Sequence, residues 1–342
     1  MTAITSPAPP GTEPGGLPDA ERRTPRRRPR AQHVVERGAS RVFRWTATGA
    51  GALILIVLAA VAVFLVLKAM PAMTASSDEL VDGVSFMRGS SSLLDYVGPL
   101  VFGTVLAALL ALLLAVPVSI AIALFISHYA PRRLAAGLGY VVDLLAAVPS
   151  VVFGLWGAIV LAPAVQPLWA WLGENLGWVP LFGGTVSPTG RVIATVAVVL
   201  AVMILPIITA VSREVFLQTP RLHEEAALAL GATRWEMIRM TVLPFGRSGV
   251  VSAAMLGLGR ALGETMAVLM IISQGFLYSF LLLAAGQQQT IAANIAAQFP
   301  EASDLGMSVL IATGLALFVI TLVVNMSARA IVARRKDFSG AN

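Results

Sequence analysis

The chain has no cysteine, which excludes disulfides, thiolate zinc sites, iron–sulfur clusters and cysteine nucleophiles. Histidine is nearly as scarce: His33, His128 and His223 are scattered along 342 residues and give no histidine-based metal site. Lysine occurs only as Lys68 and Lys336, neither preceded by glycine. A phosphate-cradling P-loop needs G-x-x-x-x-G-K-[ST], so the chain has no nucleotide site of that kind. Charge as a whole is short, at 12% of residues against about 25% in soluble globular proteins. Apolar residues fill the space, at 57% and a mean hydropathy of +0.82. One water-soluble core cannot hide this much apolar surface, so the solvent for most of the chain is lipid. That excludes most cytosolic enzymes, and disorder anywhere but the ends.

Hydrophobic runs can be measured against the roughly 20 residues a helix needs to cross a bilayer. Residues 46–67, 99–127, 192–212 and 306–328 are uncharged runs; 134–164 is interrupted only by Asp143, and 248–273 only by Arg260 and Glu264. The reading is an all-α polytopic membrane protein with six transmembrane helices and both ends on one side. Positive charge selects that side. The N-terminal tail, the 2–3 and 4–5 loops and the C-terminus together carry 20 Arg and Lys, against Lys68, Arg88 and Arg191 on the other face. Both termini are therefore expected in the cytoplasm of a cell whose plasma membrane the chain crosses.

Four regions follow: a Pro/Arg-rich tail at 1–45, a first span and outer loop at 46–98, a core at 99–328 and a basic C-terminus at 329–342. The tail has no hydrophobic period and reads as disordered. Its run from Arg26 to Arg30 is a topology signal that can touch anionic lipid, and does not call for a nucleic-acid partner. Of the outer loops, 165–191 holds Trp169, Trp171 and Trp178, an aromatic belt at headgroup level. The loop 275–305 includes an uncharged, largely apolar ten-residue run, 276–285, too short to span and suited to re-entering or lying in the interface. Pro117, Pro149 and Pro206 fall within the second, third and fourth spans, where each favours a kink. Asp143 belongs at the inner headgroup boundary in a structural role.

The hydrophilic stretch 213–247 carries helix punctuation. Thr219 reads as an N-cap with Pro220 at the first helical position, and an Ala/Leu-rich helix follows to Leu230. Gly231 can take positive φ just past its end. Thr233 and Glu236 form a capping box for a second helix, which ends before Pro244. This helix–turn–helix lies under the membrane and exposes Glu224, Glu225, Arg234 and Arg239. The pattern Glu225-Ala226-Ala227, Gly231, Leu243-Pro244 resembles the E-A-A loop of bacterial ABC-importer permeases, with Thr241 in place of the usual Ile. The resemblance implies that Glu224, Glu225, Ala226, Ala227, Gly231, Leu243 and Pro244 couple the membrane helices to a separate ATPase.

Arg260 and Glu264 fall near mid-bilayer in the fifth span. Each costs roughly 2.5–3.5 kcal/mol there on insertion scales. At i and i+4 of one helix they share a face and can neutralise each other. Gly257, Gly259 and Gly263 thin the helix around them, and Gly259-x-x-x-Gly263 is a small-residue contact pattern. The stretch 259–268, with Gly263-Glu264-Thr265, closely resembles the C-type permease subunit of phosphate-specific ABC importers, as do 148–157 and Ala292, Asn294, Ile295 and Ala296. The likeness covers about residues 90–330. It implies a heterodimer with an A-type permease, two copies of a cytoplasmic ATPase and an outer phosphate-binding protein. ATP and Mg would be bound on the ATPase, with no cofactor, metal or catalytic residue on this chain. Arg260, Glu264 and Thr265 would then line the substrate path. A guanidinium can fork two phosphate oxygens, with Glu264 holding Arg260 between substrates. The rival readings are a permease for sulfate or molybdate, an ion-gradient-driven secondary transporter or channel, and a non-transporting membrane anchor.

Overall fold

The computed structural model describes residues 38–87 and 89–333, so Arg88, the Arg26–Arg30 run and Lys336 lie outside the described residues. Residues through Val57 form one compact unit and those from Leu58 onward another. All regular structure among the described residues is helical, and six helices are long and apolar enough to cross a membrane.

The first is α1, Gly38–Thr74, so residues 38–45, expected to belong to the disordered tail, are helix. From Arg41 to Val57 every side chain is exposed, the pattern of a helix whose solvent is hydrocarbon. Beyond Leu58, Ala69 and Ala72 are buried. A short α2, Ser77–Gly83, is capped by Ser76, which accepts from the Glu79 amide. The second span, α3 at Leu93–Leu124, is capped by Ser92, and Asp95 accepts from the Ser91 amide at 2.8 Å. It runs on through a π-turn at Phe125–Tyr129.

The third run divides differently from its hydropathy. Residues Arg132–Ala146 form a separate helix, α4, on which only Gly139 is buried, its missing side chain leaving room for the Arg213 guanidinium. The chain then breaks, and Pro149 is the N-cap of α5, Ser150–Trp156. Pro149 therefore starts a helix and does not kink one, because a residue followed by proline is disfavoured in the α conformation. A π-turn at Gly157–Leu161 joins α5 to α6, Ala162–Leu176, and the membrane-length unit is Ser150–Leu176. Asp143 lies on exposed α4, outside that unit. Trp169 and Trp171 belong to α6, and the Trp169 indole donates to Thr195 Oγ1 at 2.9 Å.

The fourth span is α7, Ile193–Leu217. Its Val196, Leu200 and Ile204 pack on an alanine face of α3, with Ala107, Ala108, Ala111 and Ala115 all fully buried. Small residues on one helix and branched ones on the other bring the axes close, and Ser119 Oγ reaches the Leu205 carbonyl at 3.1 Å. Pro117 and Pro206 do lie inside α3 and α7.

The 213–247 stretch contains α8, Arg221–Ala229, and α9, Arg234–Met237. The cap of α8 is Pro220; the Thr219 hydroxyl, expected to fill that role, is buried without a partner. The second helix also does not stop at Pro244. A π-turn, Ile238–Val242, carries it into α10, Leu243–Leu262, and the span is Arg234–Leu262. The wider turn places the Leu243 amide on the Ile238 carbonyl just ahead of the residue with no donor to give. After α10 come α11, Met266–Ile271, an irregular stretch, α12, Ile291–Gln298, and the last span, α13, Asp304–Ala333.

The irregular stretch 272–290 is held by backbone bonds. Leu282 donates to Leu181 at 2.9 Å, Ser187 to Leu283 at 2.9 Å and Ala194 to Leu282 at 3.2 Å, while Leu277 turns back on Gln287 at 2.9 Å. Its foot rests on α3 at Gly103, where an added Cβ would run into the Gln289 carbonyl. Gly103→Ala is therefore expected to destabilise the chain by about 1–3 kcal/mol, read as a lower thermal midpoint in detergent. Gly259→Ala, with no atom within 4 Å of the new methyl, should leave the midpoint in place.

Candidate functional site

The fifth span was expected as one helix over 248–273, with Arg260 and Glu264 one turn apart on it. The chain instead breaks between them. α10 ends at Leu262 with Gly263 as its cap, and Glu264 and Thr265 occupy the corner before α11. A break at membrane depth frees backbone donors that lipid cannot satisfy. Here the Glu264 carboxylate turns inward, 8% exposed, and its Oε1 accepts from the Ala267 amide at 3.0 Å. It caps α11 from the side-chain position an N-terminal oxygen favours. The Thr265 hydroxyl donates to the Gly263 carbonyl at 3.2 Å. The expected Arg260–Glu264 ion pair is not formed. Among the described residues Arg260 has no carboxylate within 4.0 Å and no hydrogen bond, and its side chain is half-buried.

The face that carries Arg260 is open within this chain. Gly259 is exposed, with nothing within 4 Å of where a side chain would begin, and Gly263 has only the Gly259 carbonyl of its own helix, at 3.7 Å. Gly257, on the opposite side, packs against Ile208 of α7, where a Cβ would stand 2.8 Å from Cδ1. The three glycines thus divide: one lets α10 approach α7, and two leave clear space around a cation.

Sequence segments far apart converge on the broken corner. A Cβ on Gly154 of α5 would stand 2.7 Å from Ala267 Cα, and one on Gly157 would stand 2.6 Å from Ile271 Cδ1. Only glycine lets α5 lie this close to α11. Asn294 of α12 is fully buried and donates to Tyr96 Oη at 2.7 Å, tying α12 to α3. The 148–157 and 259–268 segments therefore meet at α11, and 292–296 is tied to α3.

The second feature is the 213–247 helix–turn–helix. Gly231 has φ +87°, the left-handed value that a turn between α8 and α9 requires. The capping box forms as expected: Thr233 Oγ1 accepts from the Glu236 amide at 3.4 Å, and Glu236 Oε2 from the Thr233 amide at 2.8 Å. Ala227 is buried in a cluster with Phe216, Met237, Ile238 and Val242, against which Leu243 packs. Glu225, Ala226 and Pro244 are exposed. Thr241 donates its hydroxyl to the Met237 carbonyl at 2.7 Å, so a polar residue in an apolar position costs little. Glu224, grouped with the exposed residues, instead turns back to His128, 3.5 Å away. The sequence reading missed His128 because it closes an uncharged run and looked like a span end. It also missed Leu222, Leu228, Leu230 and Trp235, all exposed around α8 and α9, an apolar surface visible only once the helix faces are known. Among the described residues no group of three His, Asp or Glu is placed to hold a metal.

Residues 115–337 match the family described as binding-protein-dependent transport system inner membrane component. The chain is 49% identical over 299 residues to the phosphate transport system permease protein PstC 2 of Mycobacterium tuberculosis, covering 86% of this chain and 92% of the relative. It is 39% identical over 310 residues to phosphate transport system permease protein PstC of Mesorhizobium japonicum, covering 88% and 92%. A solved bacterial ABC transporter involved in the import of the acidic polysaccharide alginate shares the fold, with TM-score 0.54 at 17% identity over 84% of this chain and 99% of that one.

The cap predicts a graded response. Glu264→Ala removes the acceptor for the Ala267 amide and should cost about 0.5–2 kcal/mol, while Glu264→Gln keeps a carbonyl there and should lose less. Thermal unfolding of the purified variants in one detergent checks the order.

Proposed function

The chain belongs to the family of binding-protein-dependent transport system inner membrane components, and from that premise we propose that it is the C-type permease subunit of an ATP-driven phosphate importer. The observation that carries the reading is the cation left without a carboxylate beside the open glycine face of α10. An unpaired arginine at membrane depth is costly unless it meets a polar path or a partner. A tetrahedral oxyanion fits it, because the planar guanidinium offers two parallel donors. With Glu264 engaged in capping α11, the Arg260 guanidinium is free to meet the anion directly. Glu264 then works as the strut of the corner, and Thr265, half-buried at the same corner, lies beside the path.

The role of the 213–247 stretch follows from its build. Glu225 and Ala226, with the exposed Leu222, Leu228, Leu230 and Trp235, form a surface for the cytoplasmic ATPase, where ATP and Mg are bound. Ala227, Gly231, Leu243 and Pro244 shape the hinge behind it. The open face of Gly259 and Gly263 suits a second, A-type permease across the path, and an outer phosphate-binding protein would deliver the anion. Both termini and α8–α9 lie in the cytoplasm, as the 20-to-3 division of positive charge requires. The membrane core is then 99–328, with the 1–45 and 329–342 ends basic and cytoplasmic. A secondary transporter has no use for a capped E-A-A-type loop.

Arg260→Gln should abolish chain-dependent uptake of radiolabelled phosphate at low external concentration, while the complex still co-purifies with its ATPase. Wild-type uptake in that variant would remove Arg260 from the path. Competition of wild-type uptake by sulfate or molybdate would change the anion and leave the architecture standing.

A further inference from the structure

The two adjacent acids at the start of the coupling pattern point to different places. Glu225 is exposed, whereas Glu224 lies beside the His128 ring, its Oε1 at 3.5 Å from Nε2, with side-chain exposures of 22% and 9%. His128 stands in the π-turn that ends α3, so this contact joins the coupling helix α8 to the inner end of a membrane span.

Ser127 Oγ lies 2.7 Å from the Ala123 carbonyl and 2.7 Å from His128 Nδ1. The Ser127 hydroxyl thus braces the ring on its Nδ1 side, and Nε2–H points its donor at the Glu224 carboxylate. The other charged groups on the elements packed around this turn are Arg132, Arg133 and Asp143, all exposed on α4, and Arg213 and Glu214 of α7, which pair with each other at 3.2 Å. On α8, Arg221, His223 and Glu225 are exposed.

We propose that His128 is a positioning residue for transport coupling: its ring, braced by Ser127, ties Glu224 and with it the coupling helix to the end of α3. Glu224 then acts within the chain, and Glu225 alone of the two meets the ATPase. Movement of α8 is passed to α3, and through the alanine face to α7, while the tie holds. The transport consequence rests on the function proposed above; the tie itself does not.

Two measurements separate them. In the purified full-length chain, which has no native cysteine to interfere, spin labels at Leu113→Cys on α3 and Leu230→Cys beyond α8 report the distance between the two elements. The distribution should be narrow in the wild-type chain. His128→Gln or Glu224→Gln should broaden it, and His128→Lys, whose ammonium can still meet the Glu224 carboxylate, should keep it narrow. In the reconstituted complex, phosphate moved per ATP hydrolysed should fall roughly three- to tenfold in either glutamine variant, with no further loss in the double variant. Glutamine variants whose distributions match wild type would overturn the tie, as would losses that add in the double variant. A wild-type complex that moves no phosphate, with the broadening in the glutamine variants intact, would overturn the phosphate reading and leave the tie in place.

Discussion

A polypeptide can bend inside hydrocarbon only where each freed backbone group finds a partner within the protein. The corner at Gly263–Thr265 meets that condition with one side chain. By accepting from the Ala267 amide, Glu264 lets α10 end and α11 begin in a new direction. The rest of the frame depends on that change of direction. It brings Ala267 against Gly154, Ile271 against Gly157, and leaves Arg260 on the far side of the bend from the carboxylate that sequence spacing would have paired with it. A buried acid that is usually read as a charge partner is here a piece of backbone architecture, and the cation's freedom is the result.

Close approach is the second theme. The α3–α7 contact is alanine against branched side chains, and the contacts of α5 with α11 and of α10 with α7 are glycine against whatever faces it. Lipid gives no hydrophobic reward for helix association, so such packing is what holds the spans together. Packing of this kind permits sliding, because no bulky side chain has to be withdrawn from a pocket. The 213–247 helices are held otherwise, by a capping box, a left-handed glycine and a small apolar cluster. They form a locally braced unit, unlike the small-residue contacts between the spans.

Much of this was legible from residues alone. Six apolar runs gave six spans, since hydropathy measures the one property lipid selects. The Thr233–Glu236 box and the Gly231 turn were readable because their chemistry is local. The errors share a cause, which is that hydropathy has no sense of direction. It fused α4 with the following span, although Pro149 marks the break. It also ran α10 and α11 together, so that an i, i+4 rule valid within one helix was applied across a corner. Pro244 misled in the opposite sense, since a π-turn absorbs the proline without ending the helix. His128 and the exposed leucines of α8 needed three dimensions, because their meaning lies in what stands opposite them.

The backbone bonds that join 272–290 to the segment before α7 have a consequence for how these loops can change length. Leu181, Ser187, Arg191 and Ala194 on one side are matched to Leu282, Leu283 and Ser273 on the other. One residue inserted in either segment would carry these donors off their acceptors and leave buried backbone groups unpaired. The two loops, some ninety residues apart in sequence, therefore share one length constraint. Lineages that lengthen one without compensation in the other should be rare, whereas the exposed connection between α4 and α5 carries no such restriction.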